Sequence, residues 1–172
     1  MPDLDPTLEF GPQLNVLLWE DEPDYKLTFQ LPLRQVIATD LNSAHNAGLI
    51  SNPILNLDIN NMGQQGWNLG LSGGPVFANQ TYHQYFYGVP AAYETVDRPA
   101  YDASGGYSGT QLTLALSKRF PDFWTGAFIR VYDLHGVVFD SSPLLRQNMS
   151  FMAGIGVTWI FSRSDTKVIA DD

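Results

Sequence analysis

From residue 147 to 161 the chain alternates residue by residue. Met149, Phe151, Ala153, Ile155, Val157, Trp159 and Phe161 are apolar. Between them stand Asn148, Ser150, Met152, Gly154, Gly156, Thr158 and Ile160, mostly small or polar and none charged. A period of two is a strand with one apolar and one polar face. The solvated face of a soluble sheet carries Lys or Glu. An uncharged small-residue face opposite an unbroken apolar stripe suits a strand with lipid outside and a hydrated lumen inside. The inner strand of a soluble sandwich is the competing reading of this stretch alone.

The pattern recurs. Residues 7–19 set Leu8, Phe10, Leu14, Val16 and Leu18 against Glu9, Gly11, Gln13 and Asn15. Residues 25–38 set Tyr25, Leu27, Phe29, Leu31, Leu33 and Ile37 against Lys26, Thr28, Gln30 and Arg34. Shorter alternations predict strands over 53–60, over 67–71 with an extension to 77, over 110–120 and over 123–134. Acidic residues 20–24, the stretch 61–66 and Pro121-Asp122 read as short turns. Residues 39–52, 78–107 and 135–146 read as long loops, the second with room for a short helix or strand near Tyr82 to Gly88. Short turns at one end and long loops at the other are the signature of an outer-membrane barrel, with periplasmic turns and extracellular loops.

Composition agrees. Charged residues are 16% of the chain, against roughly 25% in soluble domains. No window supplies the ~18 consecutive apolar residues of a membrane helix, so a membrane would be crossed as strands, which satisfy their own backbone hydrogen bonds when paired. The net charge of −9 leaves no basic stripe for nucleic acid. There are no cysteines for disulfides or thiolate metal sites. A soluble lipocalin-like barrel would need charged strand faces.

The expected fold is therefore all-β: an antiparallel up-and-down meander of about seven or eight strands, forming a transmembrane barrel or the C-terminal part of one. Residues 7–161 form the barrel, 1–6 a leader without clear structure, and 162–172 a polar tail. Residues 1–6 hold neither the basic nor the apolar region of a signal peptide. Seven spans would leave the first with an unpaired edge, so at least one strand is expected before Thr7.

Certain words also stand in a telling order: Tyr85-Phe86-Tyr87-Gly88-Val89, then Arg98-Pro99-Ala100-Tyr101-Asp102-Ala103 and Gly105-Gly106-Tyr107, then Asp140-Ser141-Ser142-Pro143-Leu144, and finally Gly154 to Phe161. In this order they resemble the MipA/OmpV family of outer-membrane proteins, the MltA-interacting proteins, over about residues 10–161. The resemblance implies an outer-membrane barrel without catalytic residues. It implies a scaffold between a lytic transglycosylase that degrades murein and a penicillin-binding protein that builds it. Porin-like and ligand- or adhesion-related roles are the alternatives within the resemblance. Gly156, Trp159 and Phe161 have the spacing of the closing-strand signal read by the barrel-insertion machinery, with Phe161 ending the strand.

Lys26, Arg34, Asp58, Arg119 and Arg130 are expected inside the barrel as an ion-pair network, because a charge facing lipid at the midplane costs about 2–4 kcal/mol; a selectivity filter is the sharper reading. Trp67, Trp124 and Trp159 are expected in an interfacial girdle. The aromatics of residues 82–93 either form a ligand surface or fold inward as a plug. A hydrolase triad is conceivable from His135, Asp140 and Ser141 or Ser142, but nothing in the spacing fixes it. The acidic turn of Glu20, Asp21, Glu22 and Asp24 is a solvated turn, or else binds a cation or docks a basic periplasmic partner. No catalytic, cofactor or metal residue is assigned.

Overall fold

The computed structural model describes residues 3–21, 23–40 and 42–161. Its strands are β1 (Thr7–Phe10), β2 (Gln13–Asp21), β3 (Tyr25–Thr39), β4 (Ala44–Ser51), β5 (Ile54–Met62), β6 (Trp67–Ala78), β7 (Gly106–Arg119), β8 (Phe123–Asp133) and β9 (Met149–Trp159). A helix α1 (Gln80–Tyr87) and a 3-10 turn (Ala91–Tyr93) lie between β6 and β7. All strands join one antiparallel sheet. No helix among the described residues is long and apolar enough to cross a membrane.

The nine strands make seven spans. β1 and β2 share one register on β3, from Thr7↔Ala38 through Phe10↔Gln35 to Gln13↔Pro32. From Tyr25↔Ile59 to Val36↔Gly48, β4 and β5 likewise share one register on β3, interrupted at Asn52-Pro53. Among the described residues, β1–β2 and β9 each pair on one side only.

The breaks have a common cause. Pro12, Pro32, Pro53 and Pro75 sit at one height on four neighbouring spans, and the register on either side puts Pro53 opposite Pro75. A proline cannot donate to the ladder. Side chains and neighbouring amides take over: Ser51 Oγ donates to the Pro32 carbonyl at 2.7 Å, Asn52 Nδ2 to the Pro75 carbonyl at 2.7 Å, and Leu33 N to the Pro12 carbonyl at 3.0 Å. The carbonyls of Pro12, Pro32 and Pro75 thus each keep a donor.

Register sorts the faces into rows. Leu27, Leu57, Leu71, Leu114, Ile129 and Ala153 lie side by side across six spans. The next row on the opposite face is Thr28, Asn56, Ser72, Thr113, Arg130 and Met152. The outer face is almost wholly apolar and uncovered: Leu114 is 47% and Ile155 86% exposed. Trp67 and Phe77 bound this band on β6. Ten steps of about 3.3 Å, tilted by roughly 40°, give a height near 25 Å, that of an outer-membrane apolar band.

Three expectations are corrected. Residues 39–52 are not a loop, because β4 occupies most of them and the connection shrinks to residues 40–43. The alternation there is hidden because Ala47 is the extra residue of a bulge between Val36↔Gly48 and Ile37↔Asn46, which shifts the period by one. The second correction concerns Leu18, expected in line with Leu14 and Val16. It is the extra residue of a bulge between Leu17 and Trp19, which sets Trp19 opposite Leu27 and turns Glu20 to the inner face opposite Lys26, so the acidic turn is shorter than expected. Glu22 lies outside the described residues, as does the tail 162–172. Third, Phe161 does not end the last strand. β9 stops at Trp159, and Phe161 stands beyond it, 95% exposed. Of the short helix or strand allowed for near Tyr82 to Gly88, the structure has the helix, α1.

Candidate functional site in the lumen

The concave face holds a cavity of about 530 Å³, lined from β1 through β9 by Glu9, Arg34, Gln111, Arg130 and Tyr132 among others, and capped by Tyr82 and Tyr87 of α1 and by Phe139. What closes one end is the long connection 79–105, which turns inward.

Its helix has a weak sequence, Gln-Thr-Tyr-His-Gln-Tyr-Phe-Tyr, too short to persist alone. Asn79 holds it to the wall. Its Oδ1 accepts from Tyr82 N at 3.0 Å as the N-cap and from Leu49 N of β4 at 3.0 Å. The approach needs Gly48, whose φ is +116°; a Cβ there would lie 2.6 Å from Asn79 Oδ1 and 2.7 Å from Tyr82 Cα. Gln84 Oε1 accepts from Ala103 N at 2.8 Å, tying the helix to the returning chain.

The buried centre of the plug is His83, 0% exposed. Nδ1 is 2.5 Å from the Ser104 carbonyl, which can only accept. The proton therefore sits on Nδ1, and Nε2 accepts from Ser108 Oγ. Ser108 reaches it because it is the extra residue of a bulge between Val76↔Gly109 and Phe77↔Tyr107. Phe139 packs on both His83, at 4.8 Å between centroids, and Tyr87, stacked at 3.7 Å. Ser142 Oγ donates to the Tyr87 carbonyl at 2.7 Å. The two long connections, 79–105 and 134–148, thus form one cap.

Burial holds the His83 imidazole below its ordinary range, against the opposing pull of the Ser104 carbonyl. A released plug would bind a proton below about pH 6.5 that the docked one refuses. Docking is then fully stable above that pH and weakens as pH falls toward the depressed value, by at most about 1.4 kcal/mol per unit. Limited proteolysis within residues 79–105 should be faster at pH 5 than at pH 7.5, and His83→Gln should flatten that ratio. Equal rates for the wild type at both pH values would rule this out. Burial also pushes the Tyr82 hydroxyl up to about 12 and raises that of Tyr87, so both stay protonated.

Of the expected lumen charges, Arg34 and Arg130 line the cavity. The register puts Lys26, Asp58 and Arg119 on the same face, nearer the short turns. They do not form one network. Lys26 Nζ meets Glu20 at 3.2 Å and Arg34 meets Glu9 at 3.7 Å. Asp58 accepts from Asn56 Nδ2 at 2.7 Å. Arg130 donates to hydroxyls, Nε to Thr113 Oγ1 at 3.0 Å and Nη1 to Tyr132 Oη at 3.3 Å. Gly156 faces inward, its Cβ position 3.9 Å from the Trp124 ring. Trp159 faces outward beside Phe123, at 6.2 Å.

Trp124 is a correction. Its ring lies on the inner face over Gly126. The outward aromatics near the short turns are Trp19, Tyr25, Trp67, Phe123 and Trp159. The triad around His135 does not assemble: His135 Nδ1 pairs with Asp133 Oδ1 at 2.5 Å, while Ser142 spends its hydroxyl on Tyr87. His45 packs on Tyr85, at 5.6 Å. No group of three or more metal-ligating side chains occurs among the described residues. Reading by periodicity missed the His83–Ser108 pair and Gly48; the only local sign was glycine density at Gly105, Gly106 and Gly109.

Compared with known proteins, the chain matches the family model described as MltA-interacting protein MipA over residues 1–161. No curated protein and no solved structure matches it.

Proposed function

Since the chain belongs to the MltA-interacting protein MipA family, we propose that it is a non-enzymatic outer-membrane barrel protein. In this reading it links a lytic transglycosylase that degrades murein to a penicillin-binding protein that builds it. The family match carries the reading, and the family's name points to MltA as a partner. The apolar outer face between aromatic residues supports the membrane location. The cap over one end of the lumen favours a scaffold over an open pore. The short turns face the periplasm and the cap faces outward. Lys26, Arg34, Asp58, Arg119 and Arg130 act as lumen charges, and Gly156, Trp159 and Phe161 serve the barrel-insertion machinery.

The periplasmic side offers acidic Asp21 and Asp24 to a basic partner surface. Detergent-solubilised protein immobilised on beads should retain the transglycosylase and, through it or beside it, the penicillin-binding protein. The double variant Asp21→Lys, Asp24→Lys should weaken capture about tenfold, as rim charges steer encounter. Capture of neither enzyme by the wild type would defeat the scaffold reading. A porin-like channel is favoured by one observation, the polar lining of the lumen; steady conductance in planar bilayers that falls when Arg34 is neutralised would establish it instead.

A further inference from the structure

Arg130 is a half-buried cation without a counter-ion. Its Nε and Nη1 are engaged by hydroxyls, but no carboxylate among the described residues lies within ion-pair distance. Nη2 has no hydrogen-bond partner among them. A guanidinium held so lines the cavity with Nη2 left to donate a charge-assisted hydrogen bond to a carboxylate. Arg34 stands on another wall, and among the described residues Glu9, its loose partner at 3.7 Å, is the only carboxylate lining the cavity. The described lining therefore carries one net positive charge. Its remaining polar surface is amide and hydroxyl: Gln30, Gln111, Tyr82 and Tyr132. Such groups both donate and accept, which matches a ligand rich in hydroxyls. About 530 Å³ is within the range of small-molecule sites.

We propose that the cavity beneath α1 binds a small polyhydroxylated monoanion, a sugar acid, whose carboxylate is held by Arg130 and whose hydroxyls meet the amide and tyrosine lining. The charge gives the carboxylate its place, and the amides distinguish a polyol from a simple acid. This is independent of the scaffold reading.

The test is calorimetric titration of the full chain, folded in lipid nanodiscs, with glucuronate, glucose and acetate. Glucuronate should bind, with glucose and acetate each weaker by about tenfold or more, since each lacks one set of charge-assisted or neutral hydrogen bonds. Arg130→Gln should weaken glucuronate by about tenfold or more and glucose by clearly less. Arg130→Lys, which keeps the charge but not the planar guanidinium that Thr113 and Tyr132 hold in place, should fall between the two. Gln111→Leu supplies a second variant should Arg130→Gln fail to fold; it should bring glucuronate toward acetate. Glucuronate binding no tighter than glucose, or unaltered in Arg130→Gln, overturns the proposal. Acetate as tight as glucuronate also overturns it, leaving a site for any small anion.

Discussion

Truncating Phe139 to alanine should release both long connections from the lumen, at a cost of about 3–5 kcal/mol. Its ring is 1% exposed and packs on His83 and Tyr87 together, so its loss opens a void that neither neighbour can fill from its own connection. The polar ties alone, His83 to Ser104 and Ser142 to Tyr87, contribute only about 1 kcal/mol each. The strands keep their ladder, so the effect is local rather than global. Amide exchange in α1 should rise by two orders of magnitude or more (about 1.4 kcal/mol per tenfold), with β7 and β8 unchanged. Unaltered exchange across residues 80–87 would mean that the cap is held by something other than this cluster.

The second large effect belongs to the outer face. Leu114→Arg places a charge in the row Leu71, Leu114, Ile129, far from both ends of β7. If this face meets lipid, unfolding from vesicles in urea should show a loss of about 2–4 kcal/mol. Ser117→Lys, on the inner face between Asn68 and Gly126, should cost less than about 1 kcal/mol. Its charge enters a hydrated lumen, where the penalty for burying an ion does not apply. Equal tolerance of the two substitutions would remove lipid from the outer face and return the soluble barrel to consideration.

These two predictions rest on features that were unequally legible in the sequence. The facing of Leu114 follows from alternation alone, because a strand has period two wherever it pairs. So does the face of Lys26, Arg34, Asp58, Arg119 and Arg130. Phe139 sits among Val137, Val138 and Asp140 in a stretch with no period. Nothing local distinguishes it from Phe123, which stands on the outer face. Bulges explain the other misses. One extra residue at Ala47 hides the β4 pattern, and another, Leu18, falls out of line with Leu14 and Val16. Trp124 was misplaced for another reason: an aromatic at a strand end satisfies either face, and only the space left by Gly126 and Gly156 admits the ring inside.

By itself the sequence determined the class of fold, the order of the spans, the polarity of each face and the resemblance to a family. These are set by neighbours along the chain and by the solvent each face requires. Tertiary structure alone decided where the long connections go. The cap exists because Gly48 leaves room for α1, Asn79 bridges it to β4, and a bulge turns Ser108 toward His83. Those partners stand far apart in sequence, and their meeting depends on how the sheet curls, which a periodic pattern does not encode.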